Sequence, residues 1–379
     1  MNFELIINNL MPFIKEIPGE IKKEYCHFSV RALYSLGFLT YRCTSKCKTC
    51  TIWKRNKNEK PYELDRDGWL TVLSKLKHYG IRSFEIFGGD ALLRKDVVFD
   101  IVKYCAENKI QTYFPTNANL CDRETVKNLI DAGLHTIYLS IDDVGVDHDG
   151  IRGVDGTFQK VKDALETFVY LKGSAEYPRI VICSTLSNMN YQDFARLIKF
   201  LENYPIDAVY PRIVGEFNQD NIIRSNINGK IAEPYFISSE KISHLFSPEE
   251  LKEFKNIIQN VKTNAHNIYI NFRELDTAKD KTFLSGEYDF RPCHAATTLI
   301  TVHPNGDVVP CPFFGSYVIG NLIEKNLDEI WGNFKHKKFI NLQKRNKIAI
   351  CSNCNMRVYH PSLLETLNYY ISVVRNRVF

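Results

Sequence analysis

The chain has 379 residues, 44% hydrophobic and 25% charged, with 49 Lys and Arg against 44 Asp and Glu for a net charge of +5. This excludes global disorder, and the weak field names no nucleic acid; Lys, Glu or Asp interrupts every apolar run well short of the roughly 18 residues of a membrane span. The N-terminus has no basic n-region or small-residue cleavage site, so the 11 cysteines read as reduced thiols or metal ligands in a cytoplasmic protein rather than as disulfides.

Residues 1–36 place Phe3, Leu10, Phe13 and Ile14 at helical spacing and read as an N-terminal helical extension. From 37 to 212, short β-branched runs alternate with amphipathic segments. The expected strands are 37–41, 81–87, 110–114, 135–141, 179–185 and 206–211. The first helix has Asp65 as N-cap and Gly80 just past its end, and four more helical segments repeat the pattern. Such alternation demands a parallel sheet covered by helices, with function at the C-terminal strand ends. Further on, Ser247, Pro248 and Glu250 mark a capping box, and Asn305-Gly306 between two β runs marks a hairpin. A helix-like stretch, 327–342, precedes the last cysteines, and 359–379 reads as a C-terminal helix.

Two cysteine sets carry the chemistry. Cys43-Thr-Ser-Lys-Cys47-Lys-Thr-Cys50 follows the first strand, and three thiolates on one loop leave one iron of a [4Fe–4S] cluster without a protein ligand. Cys293 and Cys311 bracket the hairpin, and Cys351-Ser-Asn-Cys354 completes a set of four; on ligand chemistry alone zinc and iron–sulfur are both open there. Cys26, Cys105, Cys121 and Cys183 stand singly, with Cys105 and Cys183 read as buried on apolar faces.

The CxxxCxxC loop resembles that of the radical S-adenosylmethionine (SAM) superfamily. Gly88-Gly89-Asp90 is similar to its GGE motif, with Asp in place of Glu; Thr116-Asn117-Ala-Asn119-Leu120 resembles its TNG turn, Ser140-Ile-Asp142 its SLD segment, and Arg152-Gly-Val-Asp-Gly-Thr-Phe158 its RG…GTF stretch. The resemblance implies a partial (β/α)6 TIM-like barrel over 37–264. It also implies a SAM pocket made by Gly88, Gly89, Asp90, Asn117, Ser140, Asp142 and Arg152, with Asn188 as a further candidate. Thr49 stands where relatives often carry an aromatic residue, and Trp53 is the candidate substitute. The four-cysteine set resembles the twitch module, a shortened SPASM domain holding an auxiliary [4Fe–4S] cluster, over 265–358.

The implied activity is reductive cleavage of SAM to a 5′-deoxyadenosyl radical that removes hydrogen from substrate, fed by a one-electron reductant such as flavodoxin or ferredoxin. A sugar, cyclitol or sugar nucleotide is the first expectation for the substrate, undergoing oxidation or epimerisation with the auxiliary cluster as electron acceptor. Peptide or lipid modification comes next, and a non-catalytic iron–sulfur or zinc module is the rival. Asp142, Tyr113 and Tyr210 are strand-end candidates for a general base.

Overall fold

The computed structural model describes residues 32, 34–55, 62–236, 243–289 and 293–356. Most of the expected N-terminal extension, the C-terminal helix and Cys26 lie outside the described residues. Six parallel strands, β1 (Tyr34–Phe38), β2 (Ser83–Phe87), β3 (Gln111–Thr116), β4 (Thr136–Ser140), β5 (Arg179–Leu186) and β6 (Ala208–Ile213), run side by side in sequence order. This is the expected α/β partial barrel, and its chain-order crossovers carry helices on one face. These are α1 (Arg66–Tyr79), α2 (Lys95–Glu107), α3 (Arg123–Asp131), α4 (Val146–Arg152), α5 (Thr157–Lys172) and α6 (Phe194–Leu201).

The local signals explain the ends. Asp65 accepts from Gly68 N at 2.9 Å, and Gly80 closes α1 in the left-handed region at φ 101°. Trp69, Leu73 and Leu76 bury that helix against the sheet, where Trp69 meets the Phe84 ring edge-on. Helix α7 (Pro248–Thr263) carries the expected capping box between Ser247 and Glu250.

Three expectations shift. The first strand starts at Tyr34 and ends at Phe38, because its backbone pairs with β2 on one side and with the C-terminal hairpin on the other. The apolar run continues past the strand because Leu39 and Thr40 are buried in the following loop. Between β4 and α5 stands α4, a short helix beyond the helical segments expected, which delivers Arg152. The stretch 327–342 is two helices, Leu327–Ile330 and α8 (Phe334–Lys344), separated by Gly332 at φ 86° and recapped by Asn333.

The hairpin strands β7 (Leu299–Val302) and β8 (Asp307–Val309), with β9 (Gly320–Asn321), extend the barrel sheet to nine strands, because β7 pairs in parallel with β1. Gly306 turns the hairpin at φ 88°. The segment bearing the second cysteine set is thus backbone-bonded to the strand that leads into the first. No helix among the described residues is long and apolar enough to cross a membrane.

Candidate functional site

The three-cysteine loop leaves the C-terminal end of β1 and is held by backbone. Lys46 N donates to Arg152 O and Lys48 N to Ile151 O, both at 2.9 Å, so the residues flanking Cys47 are tied to the end of α4. Gly153, at φ 68°, makes this approach possible: a Cβ there would stand 2.4 Å from Lys46 O. Trp53 donates from Nε1 to Cys47 O at 3.4 Å, bracing the loop from the other side.

The Gly88-Gly89-Asp90 turn packs against the start of the same loop. Gly89 N donates to Thr40 O and Asp90 N to Arg42 O; a Cβ on Gly89 would lie 2.2 Å from Arg42 O. Packing against loop backbone thus requires these glycines. Asp90 is buried, and its carboxylate accepts from Leu92 N at 3.1 Å and from Thr44 Oγ1 at 2.5 Å. Thr44 also receives Nδ2–H bonds from Asn117 and Asn119, each at 3.1 Å, while Asn117 Nδ2 lies 3.9 Å from Cys43 Sγ. Thr44 escaped sequence reasoning, its signal being its place between two cysteines, and Asn119 was read as part of the turn motif without a role in the site.

On the far side, Asp142 Oδ2 and Arg152 Nη2 form a buried ion pair at 2.8 Å, and Arg152 Nη1 lies 3.8 Å from Cys47 Sγ. Asp142 Oδ1 accepts from Thr185 N, and its backbone N donates to His148 Nδ1 at 3.2 Å. Burial pushes His148 down to about 4. Asn190 Nδ2 bonds both Asp142 O and Thr185 O, whereas Asn188 donates to Ser243 O and joins none of these groups.

Ser140 lies on the sheet face turned away from the helices, beside Cys183 in register. On that face Tyr113, Tyr138 and Tyr210 form a row, with ring centroids 6.2 and 6.3 Å apart. Cys183 opposes Tyr210 and is half-buried, not sealed in an apolar face as expected; alternation turns it inward. Cys105 and Cys121 are buried. Arg212 borders this face and pairs with Glu274 at 2.6 Å.

The second set converges. Cys293, Cys311, Cys351 and Cys354 line one cavity with Phe313, Phe314, Phe339 and Ile350. Burial first, then the neighbouring sulfurs, pushes the Cys311 and Cys354 thiols far up; burial likewise raises Cys43 to about 11 and Cys50 to about 12. Burial thus favours the neutral thiol at these positions, and a bound cation is what would favour the thiolate. Among the described residues the acidic trio Asp143, Asp147 and Asp193 has ligand atoms within 4.8 Å of one another, and Arg196 pairs with all three.

Residues 38–201 match the radical SAM superfamily model and residues 293–355 the SPASM model of an iron–sulfur cluster-binding domain. A PqqA peptide cyclase of Methylocella silvestris is 31% identical over 139 residues, 36% of each chain. The matched segments span about a third of the length of the peptide cyclase relatives. Among solved structures, anSMEcpe with bound AdoMet superposes with TM-score 0.62 at 18% identity, covering 92% of this chain and 94% of that one. Streptococcus suis SuiB bound to S-adenosylmethionine superposes with TM-score 0.60 at 19% identity, covering 91% of this chain and 77% of that one. The chain belongs to the radical SAM superfamily and carries a C-terminal SPASM iron–sulfur cluster-binding domain.

Proposed function

We propose that this radical SAM enzyme modifies a peptide. In this reading Cys43, Cys47 and Cys50 hold a [4Fe–4S] cluster whose open iron takes SAM, and Cys293, Cys311, Cys351 and Cys354 hold one auxiliary [4Fe–4S] cluster. When bound, this pair of groups supplies one-electron cleavage of the SAM sulfonium and a carbon radical that removes a hydrogen atom from substrate. The protein's own part is placement. The backbone ties at Ile151 and Arg152 set the cysteine loop, Thr44 gathers Asp90, Asn117 and Asn119 beside Cys43, and the Asp142–Arg152 pair stands next to Cys47. Gly88, Gly89, Asp90, Asn117, Ser140, Asp142 and Arg152 form the SAM pocket in this assignment, and Asn188 does not belong to it.

The observation that carries the substrate class is the inner face of the sheet. Its half-buried surface is a row of tyrosines with a thiol, the Glu85 carboxylate in register with Tyr113, and the Arg212–Glu274 pair, which suits an amphipathic side chain on a peptide. A polyhydroxylated sugar calls for a denser array of carboxylates and amides. The cyclase relative acts on a peptide by its name, and SuiB has been solved with its precursor peptide. These favour the peptide over the sugar or cyclitol that came first from sequence. A one-electron reductant of the flavodoxin or ferredoxin class supplies the electron.

Anaerobic reconstitution should give about eight irons per chain, with 5′-deoxyadenosine formed on adding SAM and dithionite. Peptides encoded beside the gene and a panel of cyclitols and sugar nucleotides are then compared. Stimulated turnover with a mass change on a peptide supports the reading; turnover confined to the sugar panel overturns it.

A further inference from the structure

Segment 233–236 runs between the two cysteine loops and is bonded to both. Toward the first, Thr51, the residue after Cys50, donates from N at 2.5 Å and from Oγ1 at 2.9 Å to Tyr235 O, and Arg55 donates to Glu233 O. Toward the second, Glu233 N donates to Phe313 O at 2.7 Å, and Tyr235 Oη donates at 2.8 Å to the carbonyl of Pro312, the residue after Cys311. Tyr235 therefore touches both loops through opposite ends of one residue. It is 2% exposed, its ring lies 5.3 Å from Phe313, and the Arg55 guanidinium covers it at 4.7 Å. Cys50 and Cys311 both fall within electrostatic range of its hydroxyl.

We propose that Tyr235 is the bridge through which an electron passes between the auxiliary and the SAM-binding clusters, an inference that rests on the cluster assignment above. The path runs from Cys50 through the Thr51 N–H bond to the Tyr235 carbonyl, along its side chain, and across the Oη–H bond to Pro312 and Cys311. One electron leaves the reduced cluster and one arrives at the oxidised cluster. The ring is neither oxidised nor deprotonated, and the Arg55 cation over its face disfavours removing an electron from it. Every step is a covalent bond or a hydrogen bond, so the route crosses no open gap. Because the hydroxyl links only to a backbone carbonyl, its loss alters the path without altering a cluster ligand.

The test uses the full chain with both sites reconstituted. Iron and sulfide content, the midpoint potentials of both clusters and their paramagnetic resonance spectra are measured in the wild type, Tyr235→Phe, Tyr235→Leu and, as a control, Tyr41→Phe. Tyr41 bonds His303 instead and touches neither Thr51 nor Pro312 in this network. A substoichiometric pulse of dithionite is followed by rapid freezing, and the movement of the reduced signal between clusters is timed. The expected result is a slowing of that movement in Tyr235→Phe and by an order of magnitude or more in Tyr235→Leu. Potentials and iron content stay unchanged, and Tyr41→Phe matches the wild type. Equal rates in all four fully loaded proteins overturn the bridge while leaving the clusters standing. Iron content that falls short by one whole cluster in the wild type overturns the assignment beneath it, and the bridge with it.

Discussion

Gly153→Ala separates the packing demand on the cysteine loop from ordinary backbone strain. At φ 68° an alanine costs about 1–2 kcal/mol for the left-handed conformation. Its Cβ would also meet Lys46 O at 2.4 Å, and that oxygen is backbone, so the loop itself must move. Moving it strains or breaks the Lys46 N to Arg152 O and Lys48 N to Ile151 O bonds, each worth about 1 kcal/mol. Lower entropy of the unfolded chain returns roughly 0.4–1 kcal/mol, leaving a net loss of about 2–3 kcal/mol. Gly156→Ala is the matched control: its φ is 75°, but a Cβ there meets nothing within 4 Å, so only the conformational cost applies. Denaturant unfolding and iron content of the reconstituted proteins form the assay. Gly153→Ala should lose the first site and fall from about eight irons to about four, with the auxiliary spectrum retained, while Gly156→Ala keeps both. Equal stability and full iron in the two variants would refute the argument that Gly153 is there for the close approach.

Arg152→Met strands the Asp142 carboxylate in a site where it is 2% exposed. Breaking a buried pair from one side costs about 3–5 kcal/mol, and Asp142→Asn in the same protein should recover much of it in a double-mutant cycle of denaturation midpoints. Thr44→Val removes the hydroxyl shared by Asp90, Asn117 and Asn119. SAM affinity by calorimetry should fall on the order of tenfold, about 1.4 kcal/mol, with iron content unchanged; unchanged affinity would place the hub outside the pocket. His148 and His303 are both held down to about 4 by burial, below the unfolded value of 6.5. Their neutral forms contribute stability that is fully present above about pH 6.5 and is lost as pH falls toward 4. Unfolding midpoints across that range should decline, and His148→Gln should shallow the decline.

Much of the barrel was legible because each signal is local. Period-two runs, the Asp65 and Ser247 caps, Gly80 and the Asn305-Gly306 turn act within a few residues of where they stand. The first strand was misplaced because Leu39 and Thr40 are as buried as strand residues, and only pairing on both edges of Tyr34–Phe38 shows where the ladder ends. The break at Gly332 was hidden by helix-forming neighbours on both sides.

The site divides in the same way. Cysteine number and spacing announce two candidate metal sets, because ligand identity is a property of residues and the first set sits on one loop. The convergence of Cys293, Cys311, Cys351 and Cys354 on one cavity depends on contacts between distant segments, as do the Thr44 hub and the Asp142–Arg152 pair beside Cys47. Asn188 and Cys183 show the limit from the other side. Each stands on or just after β5 with a chemically apt side chain, yet Asn188 bonds Ser243 and Cys183 faces the tyrosine row. Sequence by itself determined which chemistries this chain can hold. Tertiary structure decided which residues meet around them, because pleat direction and long-range packing place a side chain and neither can be read from its neighbours in the chain.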